Sequence, residues 1–238
     1  MSSTPAANPL RFGIAVLSLC LAAVAQALAQ PSTPPEKARR LEALLPDGST
    51  VLVRRYADFN ADGVRDAVVV AHRRDRADDP RTLVIAFGHP AGGYTLSLRS
   101  DTAIPEVATG GAAARDGFDE LQVLRNTFTI SRYGGSSVQH SERWQFRFQD
   151  GDWFLIGERL STGGNRVRCP TLSPRTEARA DETCVGYTVD SNFVTGRQQI
   201  THLFDGEATR NAVVRRALPK KALVRLAEFS PQPWAPFP

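Results

Sequence analysis

From Ser49 to Asp205 the chain is a succession of short runs rich in β-branched, aromatic and aliphatic residues, each closed by Asp, Gly, Asn, Pro or Ser. The runs are "TVLVRR", "DAVVVAH", "TLVIAFG", "YTLSLR", "ELQVL", "TFTISR", "RWQFRFQ", "DWFLIGERL", "CVGYTV" and "RQQITHL". Runs of this length with turn residues between them predict a mainly β chain, an antiparallel sandwich or a propeller-like sheet. The sharpest hairpin is "RWQFRFQDGDWFLIG", where Asp150-Gly151 is a two-residue turn of the kind that favours positive φ. That turn sets Phe148 opposite Trp153 and Phe146 opposite Leu155, and turns Phe154 and Ile156 to the other face. No internal repeat is visible, so a propeller with one ion per blade is not supported.

Helical signal is confined to one short N-terminal helix. In "QPSTPPEKARRLEALLPDG", Thr33 supplies a cap, Pro34 suits the first turn, and Glu36 completes a capping box. Ala38, Leu41, Leu44 and Leu45 then share a face that should dock on the following sheet. Ahead of it, residues 1–29 hold Arg11, an apolar run from Phe12 to Ala25 and an Ala27-Leu28-Ala29 ending, the pattern of a secretory signal peptide. A lipoprotein signal at Cys20 would place Leu19 where a small residue is expected. The apolar run is shorter than the roughly 20 residues that span a bilayer. The expected organisation is therefore a signal peptide at 1–29, a linker and short helix at 30–48 and a β-rich domain at 49–238, with a periplasmic or secreted location and no membrane span in the mature chain.

The leader takes one of the 29 basic residues, which leaves 28 against 25 acidic ones. That balance is too mild to argue for nucleic acid. Two cysteines remain, Cys169 and Cys184, and in an oxidising compartment the simplest expectation for such a pair is a disulfide. It would close a polar loop and contribute about 3 kcal/mol in the chain-entropy account.

One turn stands out chemically. In "DFNADGVRD" side-chain oxygens fall at Asp58, Asn60, Asp62 and Asp66, Gly63 permits a sharp reversal, and Val64 offers its carbonyl. Alternate oxygen donors on a tight turn converge on a point, which is how a hard cation with six or seven oxygen ligands is wrapped, and Ca2+ suits the set better than Mg2+. The bidentate Glu of an EF-hand is absent, since Val69 occupies its place. Asp, Asn and Gly also favour turns without any metal.

A catalytic constellation is not evident. His72, His89, His140 and His202 show no metal-ligand spacing, and no Gly-x-Ser-x-Gly elbow occurs. Asp119 with Glu120 and Asp150 with Asp152 read as strand-edge and turn residues, so the chain is expected not to be an enzyme. "ISRYGGSSVQHSERW" reads as a flexible hairpin loop, or as a protruding loop presenting Arg132, Tyr133, Ser136 and Ser137 to a cleft lined by carboxylates.

"YADFNADGVRDAVVV", "LVIAFG", "GGYTLSLRS", "FTISRYGGSS", "RWQFRFQDGDWFLIGERL" and "DSNFVTGRQQI" occur in an order similar to a group of small exported bacterial proteins with a single FG-GAP, or integrin-like, calcium loop. Some of these resemble periplasmic lysozyme inhibitors and immunity proteins, in which a loop on a β scaffold plugs a peptidoglycan hydrolase. The resemblance implies a calcium-binding periplasmic inhibitor or immunity factor, with a lysozyme-like hydrolase or toxin as partner. The chain departs from the inhibitors' Ser-Gly-x-x-Tyr pattern, because Tyr133 precedes the glycines. The alternative expectation is a non-enzymatic envelope or secreted module that binds glycan or protein and is stabilised by calcium.

Overall fold

The computed structural model describes residues 36–73, 80–114, 116–164, 167, 169, 183–205 and 212–235. They form twelve strands: β1 Lys37–Ala38, β2 Ser49–Ala57, β3 Asp66–Arg73, β4 Thr82–Gly88, β5 Tyr94–Ser100, β6 Phe118–Leu124, β7 Thr127–Gly135, β8 Gln139–Gln149, β9 Asp152–Gly163, β10 Thr183–Asn192, β11 Arg197–Asp205 and β12 Ala212–Ala217. Short 3-10 turns lie at Leu41–Leu44, Val107–Gly110 and Leu226–Glu228. All ten runs read from the sequence are strands; β1 and β12 are additions. The expected leader at 1–29 and the proposed helix cap at Thr33 lie outside the described residues. No helix among the described residues is long and apolar enough to cross a membrane.

The strands make two antiparallel sheets, a five-stranded one in the order β1-β5-β4-β3-β2 and a seven-stranded one in the order β12-β11-β10-β9-β8-β7-β6. Among the described residues no barrel closes, and the two antiparallel sheets are consistent with a sandwich. β3 explains the layering. Its run "DAVVVA" is buried on both faces, as an uninterrupted apolar strand must be. Val68 and Val70 join Leu83 and Ile85 against Phe128, Ile130, Trp144, Phe146 and Trp153 of the seven-stranded sheet. Ala67, Val69 and Ala71 face the other way and meet Leu41, Leu44 and Leu45.

That second contact corrects the expected N-terminal helix. The three leucines are buried as the apolar spacing requires, but Ala38 pairs with Tyr94 as an edge strand and only Leu41–Leu44 coils, as a 3-10 turn. The β5 edge decides this, since the Glu36 carbonyl accepts from Leu96 N–H at 2.7 Å, a bond that a helix starting there would not make.

The Asp150-Gly151 turn has φ of 52° and 80°, and Phe148 faces Trp153 and Phe146 faces Leu155 as expected. The register then slips between Gln145 and Phe146, so Gln145 pairs with Gly157 and Ile156 is the bulged residue. Beyond this bulge β8 to β12 run past the cover of the smaller sheet. On their inner face Tyr187, Val189 and Ile200 make a separate apolar cluster, against which Leu160, Val167 and Cys169 pack.

Candidate functional site

Two regions hold the residues singled out by the sequence. The first is the turn from Asp58 to Asp66 between β2 and β3. Phe59 plunges into the core, 1% exposed, with its ring edge-on to Phe128 and Trp153 at 6.0 and 5.4 Å. The chain beyond it curls on its own polar side chains. The Asp58 carboxylate accepts from the N–H groups of Asp62 at 3.1 Å and Gly63 at 2.9 Å. Asn60 Oδ1 accepts from Asp62 N–H, and Asp62 Oδ1 accepts from Val64 N–H at 2.8 Å. Ala61 and Gly63, with φ of 62° and 83°, supply the reversal. Arg65 points away from this ring of oxygens and lies over the Tyr56 ring at 5.2 Å.

Asp66 stands apart from the other donors. It is fully buried, and its carboxylate accepts from the N–H groups of Phe59 at 2.8 Å, Gly88 at 3.0 Å and Asn60 at 3.4 Å. Burial pushes this carboxyl above its ordinary value and the nearby Asp62 charge adds to that, while the three N–H groups pull the other way. Asp66 thus ties the turn to β4. Among the described residues no three His, Cys, Asp or Glu side chains gather as a metal cluster. Asp58, Asn60, Asp62, Asp66 and the Val64 carbonyl offer oxygen donors of the kind a hard cation takes, and both Asp58 and Asp66 have their two oxygens engaged by backbone N–H groups.

The second region is the β7–β8 hairpin. Strand pairing continues to Gly135 opposite Gln139, so the expected protruding loop shrinks to Ser136, Ser137 and Val138, with both serines exposed. Arg132 is not on it. Its guanidinium is buried on the inner face, 2.6 Å from Glu142 and over the Trp144 ring at 5.3 Å. Burying an unpaired cation there would be prohibitive, and the Glu142 carboxylate offsets it. The glycines have a packing reason. A Cβ on Gly134 would lie 2.9 Å from the Gly110 carbonyl oxygen, Gly135 has a φ of 115°, and Ala113 N–H donates to the Gly135 carbonyl at 2.8 Å. Gly110, Ala113 and Gly117 thereby lie directly against the hairpin, Tyr133 N–H donating to the Gly117 carbonyl at 3.2 Å.

Tyr133 belongs to the opposite, outer face of the seven-stranded sheet, and cross-strand pairing aligns that face into rows. Tyr133, Ser141, Ser161, Thr188 and Thr201 form a row of hydroxyls. Ser131, Arg143, Arg159, Asp190, Gln199 and Arg215 form the next. Thr129, Gln145, Gly157, Asn192 and Arg197 form a third. Arg143, Arg159, Asn192, Arg197 and Arg215 are exposed, and the face encloses a concavity of about 1110 Å³. Apart from Tyr133, the sequence did not single out these rows. The signal was present as alternate polar positions in "RWQFRFQ" and "RQQITHL", but which face of a strand stays open depends on the sheet that covers the other.

Cys169 and Cys184 are joined by a disulfide, with Cα atoms 6.2 Å apart. Comparison with protein-family models, curated protein sequences and solved structures finds no match to this chain.

Proposed function

We propose that this chain is an exported, non-catalytic binding module of the cell envelope, steadied by calcium at the turn 58–66, whose ligand lies along the outer face of the seven-stranded sheet. The observation that carries the reading is the alignment of rows of polar side chains on one face of the sheet, two of which contribute Arg143, Arg159, Asp190, Gln199, Arg215, Thr129, Gln145, Asn192 and Arg197 to a concavity. Its exposed groups are chiefly polar, with Leu124, Val194 and Val213 among the exposed large apolar residues on it. Calcium, when bound, would neutralise the carboxylates of Asp58 and Asp62 and draw in Asn60 and the Val64 carbonyl. The chain's own contribution is to hold that turn with Phe59 in the core and Asp66 on the backbone, so the ion acts on stability rather than on a reaction.

The test is co-sedimentation of the purified protein with insoluble envelope polymer, with the supernatant assayed for released sugar and peptide. Retention without release is expected. Release of fragments would make the chain an enzyme, and absence of retention would overturn the reading.

A second reading, an inhibitor or immunity factor against a lysozyme-like hydrolase, is favoured by the short, fully paired hairpin tip with Ser136 and Ser137 exposed and Tyr133 beside it. A preorganised tip loses little entropy on entering a cleft. Arg132 has no part in such a contact, since Glu142 and Trp144 hold it inside. Slowed peptidoglycan hydrolysis by micromolar protein, relieved by Tyr133→Ala, would favour this reading.

A further inference from the structure

Resting on the binding-module reading, we propose that the outer face of the seven-stranded sheet takes an anionic polysaccharide, with the chain's carboxylate or sulfate groups on the guanidinium row and its ring hydroxyls on the amide and hydroxyl rows.

The charge pattern is the first argument. Arg143 and Arg159 are direct cross-strand partners, and like charges set opposite each other destabilise a sheet. Asp190 compensates only one of them, accepting from Arg159 Nε at 2.8 Å and pairing with its Nη2 at 2.5 Å. Arg143 and Arg197 have no carboxylate partner among the described residues, and Arg215 reaches only the neutral Gln199, at 3.1 Å. Exposed guanidiniums gathered in a concavity, outnumbering its two acids, Asp190 and the half-buried Glu158, are a site for anions. Their planar donor fork matches the two oxygens of a carboxylate or sulfate.

The neighbours of the arginines specify the rest of the ligand. Gln145, Asn192 and Thr129 on one side, and Ser141, Ser161, Thr188 and Thr201 on the other, offer neutral donors and acceptors that suit sugar hydroxyls. Ser161 and Thr188 already meet at 3.2 Å, so these hydroxyls are aligned rather than scattered. Tyr133 is the single aromatic residue in the three rows, and it stands at one end. Protein partners anchor on aromatic and apolar groups at the centre of an interface, and single-stranded nucleic acid stacks on aromatic platforms; here exposed apolar residues such as Leu124, Val194 and Val213 lie at a strand end, in a turn and on the edge strand, and no aromatic residue lines the concavity. Seven strands at a spacing of about 4.8 Å make a face roughly 29 Å across. The lining of the concavity runs from Gln122 on β6 to Arg215 on β12, an extent that suits a chain rather than a monomer.

The experiment is titration calorimetry of the full mature protein in millimolar calcium at low and raised salt. The probes are an oligogalacturonate too short to gel, its carboxyl-reduced neutral counterpart, a heparin oligosaccharide and duplex DNA. One or both anionic oligosaccharides should bind, less tightly at raised salt, and whichever binds better identifies the anion as carboxylate or sulfate. The neutral oligomer should bind at least about tenfold more weakly, the loss of one good charged contact. Arg143→Ala and Arg197→Ala, both at exposed positions, should each weaken binding about tenfold with little change in melting temperature. Gln145→Ala with Asn192→Ala leaves the charge intact and should weaken the oligosaccharides while leaving DNA unchanged. Binding of neither anionic oligosaccharide, wild-type affinity in both arginine variants, or DNA binding as tight as the sugars would each overturn the proposal. Retention on envelope polymer without oligosaccharide binding would overturn this ligand class and leave the binding-module reading standing, whereas loss of both would remove both.

Discussion

The indole of Trp234 lies flat on the imidazole of His140, with ring centroids 4.4 Å apart and planes 16° from parallel. The Pro-rich end of the described chain is thus fastened to β8 next to the tip of the hairpin. It enters through Leu226 and Phe229, both buried in the main core, and Thr102 Oγ1 donates to the Phe229 carbonyl at 3.0 Å. His140 is held below its ordinary pKa by burial, and the Arg132 charge adds to the effect.

Trp234→Ala should therefore do two things. It should destabilise the fold by about 2 kcal/mol, below the range for a fully buried Trp because this ring is only half-buried. It should also let water reach the imidazole, so that His140 titrates closer to its ordinary value by proton NMR. A lower melting temperature with an unmoved His140 titration would show that the stack is not what shields the ring.

At the turn 58–66 two carboxylates should behave oppositely. Asp62→Ala should remove the rise in melting temperature on titration to millimolar calcium, while leaving calcium-free stability nearly unchanged. Asp66→Ala should destabilise with or without calcium, by about 3 kcal/mol or more, because it strips the acceptor from buried backbone N–H groups. Thermal melts in calcium and in EDTA separate the two. A melting curve for the native chain that calcium does not shift would remove the ion from the site.

Much of this architecture was legible in the sequence because strand formation and turn chemistry are local. The alternation in "RWQFRFQ" and the Asp150-Gly151 turn dictate a hairpin whatever surrounds them. What was not legible is decided between distant segments. The docking of Leu41, Leu44 and Leu45 follows from apolar spacing, but its coiling as a 3-10 turn depends on the free edge of β5. The glycines at 134 and 135 suggested flexibility in isolation, and only the approach of Gly110 and Ala113 shows them to be a tight junction. Arg132 looked like a surface donor because nothing nearby in sequence announces that Glu142 will face it across the ladder. Arg81 is the same case. It reads as the end of a solvated loop, yet it is buried with its guanidinium forked onto Asp116 at 2.7 and 2.5 Å.

The Cys169–Cys184 bond spans 15 residues. Reduction, or Cys169→Ser with Cys184→Ser, should lower stability by about 3 kcal/mol without abolishing the fold, because neither cysteine belongs to the two larger apolar clusters that hold the sheets. Denaturant unfolding in the presence and absence of reductant gives the difference. Two alkylatable thiols in the exported protein would refute the bond.

His202 sets an acid limit on stability. It is 1% exposed on β11, and neither ring nitrogen has a hydrogen-bond partner. Burial holds its pKa below the ordinary 6.5. As pH falls through that value the unfolded chain takes up the proton first, so stability is full above about 6.5 and is lost as pH falls towards the folded pKa. Glu142 and Glu158 slope the other way. Both are pushed above their ordinary 4.5, chiefly by burial, and they lose stability as pH rises from there. His202→Leu keeps the bulk, removes two unpartnered polar atoms worth about 1 kcal/mol or more each when buried, and deletes the titration. Its melting temperature should exceed that of the native chain at pH 7, and the difference should widen as pH is lowered to 5. A variant less stable at both values, with an unchanged slope, would mean that the imidazole makes a favourable contact and that the acid sensitivity belongs to another group.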